Sequence, residues 1–75
     1  MQEFTLRDEY ITLGQFLKEI GEIGTGGAAK WYLQEVDVLV NGEIERRRGK
    51  KLYANDEVQL PDNQSFIIIG QSDEA

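Results

Sequence analysis

Arg46, Arg47, Arg48, Lys50 and Lys51 fall within six consecutive positions of the stretch NGEIERRRGKK, residues 41–51. The chain as a whole carries a formal charge of −6, with 8 basic residues against 14 acidic ones. Five neighbouring cations repel one another. Pairing an exposed arginine with a nearby carboxylate such as Glu43, Glu45 or Glu57 returns only about 0–1 kcal/mol. A phosphate backbone offsets the repulsion better, because each contact releases condensed counterions. The run therefore reads either as a phosphate-binding segment or as a solvated loop. Four phosphate contacts would give log K against log salt a slope near −3, at about 0.7 per contact on single strands.

A second candidate is Trp31. At 3.6 residues per turn it lies about 160° from the centre of the apolar stripe Ala29, Tyr32, Leu33, Val36, on the outer face with Lys30 and Gln34. It either stacks on an unpaired base or partner, or is covered by a terminal strand. The stretch GTGGAA, residues 24–29, fits a loose G-x-G-x-x-A fingerprint, but an amphipathic helix precedes it where a dinucleotide site needs a strand. Its glycines are expected to let two helices approach closely. An intermediate reading leaves the first amides of the second helix open to a phosphate oxygen.

The chain has no cysteine or histidine. That excludes disulfides, thiolate or imidazole metal ligation and every Cys- or His-based catalytic arrangement. Glu19 with Glu22, Glu43 with Glu45, and Asp56 with Glu57 are all expected on exposed positions, with no apolar pocket to raise a pKa. The expectation is a non-enzyme with neither cofactor nor metal. No secretory signal and no apolar run near 18 residues is evident, so a cytoplasmic protein without membrane contact is expected.

Seventy-five residues are read as one domain, 1–75, with a small core. EFTL, residues 3–6, alternates as a short strand, and RDEY reads as a polar turn. Thr12 and Gln15 have capping-box spacing, and Ile11 and Phe16 stand at hydrophobic-staple positions. Leu13, Phe16, Leu17 and Ile20 then line one helical face, predicting a helix over 13–20 that ends at Gly21 or Gly24. Thr25 is the expected N-cap of a second helix. Val36, Val38 and Val40 alternate as a strand, and Asn41-Gly42 predicts a two-residue hairpin into Glu43–Glu45. A turn at Asn55-Asp56, a strand ending at Leu60, a turn over 61–64 and a strand over 65–69 follow. The tail GQSDEA is expected to fray.

This order resembles the S4-type RNA-binding domain, or αL motif, over about residues 11–58. The resemblance rests on LGQFLKEIG, TGGAAKWYLQE, VLVNG and LYANDEV, and the short chain is similar to the stand-alone bacterial YaaA-type form. It implies an α+β fold with two short helices packed on a small antiparallel sheet, extended by N- and C-terminal strands. It also implies docking of structured RNA, with ribosomal RNA expected and ribosome or ribosome-assembly proteins as further partners. Carried over residue by residue, the RNA surface is Thr25, Gly26, Lys30, Trp31, Gln34, Asn41, Gly42, Arg46, Arg47, Arg48, Lys50 and Lys51. The chain departs from the family pattern at Gly26 and Trp31, where basic residues are common, and at Val36, where glycine is usual.

A competing reading is a protein-interaction module. VDVLVNGEI and LYANDEVQL also resemble part of a ubiquitin-like β-grasp fold. The sequence ends SDEA, without the Gly-Gly that a sulfur carrier needs, so a non-carrier interaction protein is the form in which this alternative stands. The expected core is Phe16, Leu17, Ile20, Tyr32, Leu33, Val38, Val40 and Ile44.

Overall fold

Thr12 closes the start of helix α1 (Leu13–Glu19), its Oγ1 accepting from the Gln15 N–H at 3.3 Å. The helix stops at Ile20 because Gly21 takes φ +84°. There the Gly21 N–H donates to the Lys18 carbonyl and the Glu22 N–H to that of Leu17, the paired bonds of a Schellman ending. Helix α2 (Ala28–Glu35) begins later than its cap predicts. The Ala28 N–H donates to both Oγ1 and the carbonyl of Thr25, and the Ala29 N–H to the Gly26 carbonyl. Gly27, not the expected Thr25, is thus the N-cap, and Thr25 holds the tight i→i+3 turn that leads into the helix. The computed structural model describes residues 1–70, so the expected fraying of 71–75 lies outside the described residues.

The main sheet contains β1 (Gln2–Thr5), β3 (Leu39–Val40), β4 (Glu43–Ile44), β6 (Glu57–Gln59) and β7 (Ser65–Ile69), in the order β1-β7-β6-β3-β4. Asn41 at φ 53° and Gly42 at φ 85° form the expected two-residue turn between β3 and β4. The terminal strands do extend the sheet, but β1 pairs parallel to β7, so the sheet is mixed rather than antiparallel. Parallel neighbours need a long crossover, and residues 6–64 provide it. A separate ribbon pairs β2 (Ile11–Thr12) with β5 (Lys51–Leu52). Such two-residue strands are too short to show a period in sequence.

Phe16 is fully buried between Phe4 and Phe66, ring centroids 5.0 and 5.3 Å away in edge-on contacts. Leu13 and Leu17 of α1, Ala29 and Leu33 of α2, and Val38, Val40, Val58 and Ile68 of the sheet region complete one apolar cluster. Ile20 and Tyr32 form its half-buried rim. Ile44 does not belong to the core; it is 52% exposed. The two-residue turn sets it opposite Leu39, and Leu39 alternates with the buried Val38 and Val40, so both face outward.

The close approach of the helices also differs from expectation. Nothing stands within 4 Å of a Cβ built on Gly24 or Gly26, whereas one on Gly14 would lie 3.3 Å from the Ala29 Cβ, the Arg48 Cβ and the Arg48 carbonyl oxygen. Gly14 of α1 is where the two helices and the basic loop meet.

Phe16→Ala should lower unfolding free energy by about 3–5 kcal/mol, the usual cost of emptying an aromatic site. Ile44→Thr should change it by no more than about 0.5 kcal/mol, as a surface substitution does. Urea denaturation of the two variants checks both values, and a large loss at Ile44 would contradict the outward register.

Candidate nucleic-acid interface

The basic loop is held by its backbone. The Gly14 N–H donates to the Arg48 carbonyl at 2.8 Å and the Leu13 N–H to the Lys50 carbonyl at 2.7 Å. These donors belong to the first turn of α1, which has no intrahelical acceptors for them. The Lys50 N–H in turn donates to the Arg47 carbonyl at 3.2 Å. The loop then enters β5, where Lys51 stands opposite Thr12.

Its five cations divide into two groups. Arg46 Nη1 donates to the Leu33 carbonyl in the last turn of α2 at 3.0 Å, and Nη2 to Asp37 Oδ1 at 3.1 Å. Arg47 grips the Glu45 carboxylate through Nε and Nη2 at 2.9 and 3.2 Å, and its own N–H adds a third bond at 3.0 Å. Arg48, Lys50 and Lys51 have no carboxylate within salt-bridge distance among the described residues. The Lys51 Nζ lies 4.8 Å from the centroid of the Tyr10 ring. The expected neutralisation by glutamates therefore applies to Arg47, while Arg46 uses Asp37.

Arg46 ties the loop to Leu33 in the last turn of α2, and Arg48 and Ala29 of its first turn both stand against Gly14. Along α2, Lys30, Trp31 and Gln34 are exposed. Trp31 is 64% exposed, with the Lys30 Nζ 5.9 Å from its ring; neither terminal strand covers it. Thr25 and Gly26 are exposed at the turn leading into α2. The amides of Ala28 and Ala29 are taken within that turn, which removes these two from the amide-capture reading.

Asn41 and Gly42 sit elsewhere. The Asn41 side chain accepts from the Glu57 N–H at 2.9 Å and donates to Asp56 Oδ1 at 3.1 Å, tying the hairpin tip to the next turn. That tip lies among carboxylates, at the end of β4 remote from the cationic run. Sequence reasoning missed the pair Tyr10 and Tyr53, whose centroids are 5.7 Å apart and which are 39% and 44% exposed. Their signal is an alternation about Ile11 and Leu52 that is only three residues long on each strand.

Not every acid is exposed. Glu22 is half-buried and accepts from the Tyr32 hydroxyl at 2.7 Å. Burial, then this hydrogen bond, then the charges of Glu22 and Asp62 push the Tyr32 phenol above its ordinary range. The Glu45 side chain keeps only 13% of its exposure. The Arg47 hydrogen bond holds its carboxyl below the ordinary value of 4.5, against an opposing cost of burial. Among the described residues no group of three or more Asp or Glu could hold a metal ion, and no helix is long and apolar enough to cross a membrane.

Two comparisons bear on this arrangement. The S4 domain family matches residues 4–69. A Bacillus subtilis (strain 168) protein named "Probable ribosome maturation protein RlbA" is 52% identical over 61 residues, which is 81% of this chain and 86% of that protein.

Arg46→Ala should lower stability by about 1–2 kcal/mol, below the ~1.5–3 of a charged hydrogen bond because the side chain is half exposed to screening solvent. Arg48→Gln should leave the melting temperature unchanged. Glu45→Gln supplies a pH test. A carboxylate whose folded pKa is depressed stabilises the fold above its unfolded pKa, and that contribution fades as pH falls toward the folded value. Wild type should therefore exceed Glu45→Gln in stability at pH 7, with the gap closing below about pH 4. A gap that does not shrink as pH falls would show that the Arg47 pairing is not its source.

Proposed function

The chain belongs to the S4 domain family, and from that premise we propose that it is a non-enzymatic, cytoplasmic RNA-binding protein, acting as one domain, that docks structured RNA. The observation that carries this reading is the placement of Arg48, Lys50 and Lys51. Among the described residues they have no carboxylate within salt-bridge distance, on a loop whose backbone is fastened to α1 at Gly14, where Ala29 of α2 also approaches. Three cations on a fixed backbone match phosphates spaced along an RNA surface without costly ordering on binding. The acidic remainder of the chain repels bulk nucleic acid and leaves this patch attractive.

In this reading phosphates lie along Arg48, Lys50 and Lys51 and extend to Thr25, Gly26 and Lys30. Gln34 flanks the same face, and Trp31 stacks on an unpaired base. Arg46 and Arg47 contribute to the field, but their hydrogen bonds hold them to the protein. Asn41 and Gly42 act by shaping the hairpin rather than by touching RNA. Recognition then rests on phosphate positions and shape more than on base edges. The similarity to a protein named for ribosome maturation supports ribosomal RNA as the target, with ribosome-assembly proteins as further contacts.

Because two of its five cations are engaged, the basic run itself should contribute a salt slope of about −2 rather than −3, at about 0.7 per contact, with Lys30 adding to it. Changing Arg48, Lys50 and Lys51 together to Gln should reduce affinity for a ribosomal RNA fragment by at least tenfold, an order-of-magnitude figure from the same counterion argument. Trp31→Ala should weaken binding by about 1–3 kcal/mol with little change in melting temperature. Filter binding across a salt series measures all three. A flat salt response would transfer the reading to a protein partner.

A further inference from the structure

The ribbon β2–β5 carries two aromatic rings beside Lys51 that the proposed phosphate contacts leave unused. The register sets Ile11 opposite Leu52 and Thr12 opposite Lys51, so Tyr10 and Tyr53 face each other one step further on. Residues alternate across a strand. Leu52 and Ile11 turn toward the core, and Tyr10, Thr12, Lys51 and Tyr53 share the outer face. The two rings lie 5.7 Å apart, tilted by 51°, and the Lys51 Nζ sits 4.8 Å over Tyr10. Tyr10 and Tyr53 are among the exposed large hydrophobic side chains of the protein.

We propose that Tyr10 and Tyr53, with Lys51 between strand and ring, form a stacking platform for an unpaired RNA base. This inference rests on the RNA-binding reading and adds a single-stranded subsite to it. The cations that would hold the adjoining phosphates, Lys50 and Arg48, directly precede the ribbon in the chain. Asp8 and Glu9 precede Tyr10 and are exposed, so they repel phosphate and leave the strand one favourable direction, toward Arg48. The Lys51 ammonium over Tyr10 adds a cation to this ring pair. A nucleotide uses all three elements: its base meets the rings, the ring quadrupole holds the ammonium, and the ammonium meets its phosphate. Trp31 lies on α2, so this platform is a separate one.

The test uses a short RNA hairpin, blunt-ended or with a six-nucleotide adenosine extension. Wild type should bind the extended hairpin about tenfold more tightly than the blunt one, as base stacking on an aromatic side chain gives. Tyr10→Ala with Tyr53→Ala should erase that difference while leaving blunt-hairpin affinity intact, and Tyr10→Phe with Tyr53→Phe should preserve it. Photocrosslinking of wild type to an extension carrying 5-bromouridine should label Tyr10 or Tyr53, which keeps the question open to decision even if the double alanine variant does not fold. Equal affinity for the two hairpins, or crosslinks only to other residues, overturns the platform and leaves the phosphate reading standing. Failure of wild type to bind either hairpin overturns both.

Discussion

Two hydrogen bonds between the first turn of α1 and the basic loop organise the molecule. A helix begins with N–H groups that have no partner inside it. Here Leu13 and Gly14 donate theirs to the carbonyls of Lys50 and Arg48, which lie more than thirty residues further along the chain. The carbonyl of one segment satisfies the helix start of the other, so neither can shift without leaving a polar group stranded. Gly14 makes the approach possible, since a side chain there would press on Ala29 and Arg48 at once. The pairing of β2 with β5 continues the same attachment for two residues more.

Because the loop is anchored by carbonyls, its side chains are left to face solvent. A loop anchored by salt bridges would have spent its cations on the fold. Among the described residues only Arg46 and Arg47 of the loop are used that way, one capping the end of α2 and the other binding Glu45. The mutual repulsion of Arg48, Lys50 and Lys51 is tolerated since backbone bonds, not charge, hold them in place. Folding and the proposed phosphate attraction thereby fall to different atoms of the same residues, Arg48 and Lys50.

The legible parts of the sequence were those with local chemistry. Thr12 as a cap, Gly21 as a stop, and Asn41-Gly42 as a turn each act within a few residues, and each stands where the residue type requires. The period of α1 gave its buried face, because four apolar residues mark one side of it. Ile44 was misread for want of a register: which face it takes depends on the alternation of a neighbouring strand across a turn. The parallel pairing of β1 with β7 and the ribbon β2–β5 depend on contacts between distant segments, which no local pattern reports. The same limit hid Tyr10 and Tyr53, since a residue in a polar stretch and one beside a turn gave no reason to be considered together.

Charge composition was the least local signal and pointed to the same loop. A cluster of five cations in an acidic chain identified the segment, but not which cations were available. That division follows from three-dimensional neighbours. Asp37 lies nine residues before Arg46 and the Leu33 carbonyl thirteen before it, distances at which sequence offers no preferred pairing. Glu45 is only two residues from Arg47, yet by spacing it competes with Glu43, which is equally plausible. The partial burial of Glu45 resolves that competition. A partly buried carboxylate gains more from a bidentate guanidinium than one that stays hydrated, so Arg47 goes to Glu45, and among the described residues the cations beyond it have no carboxylate within salt-bridge distance.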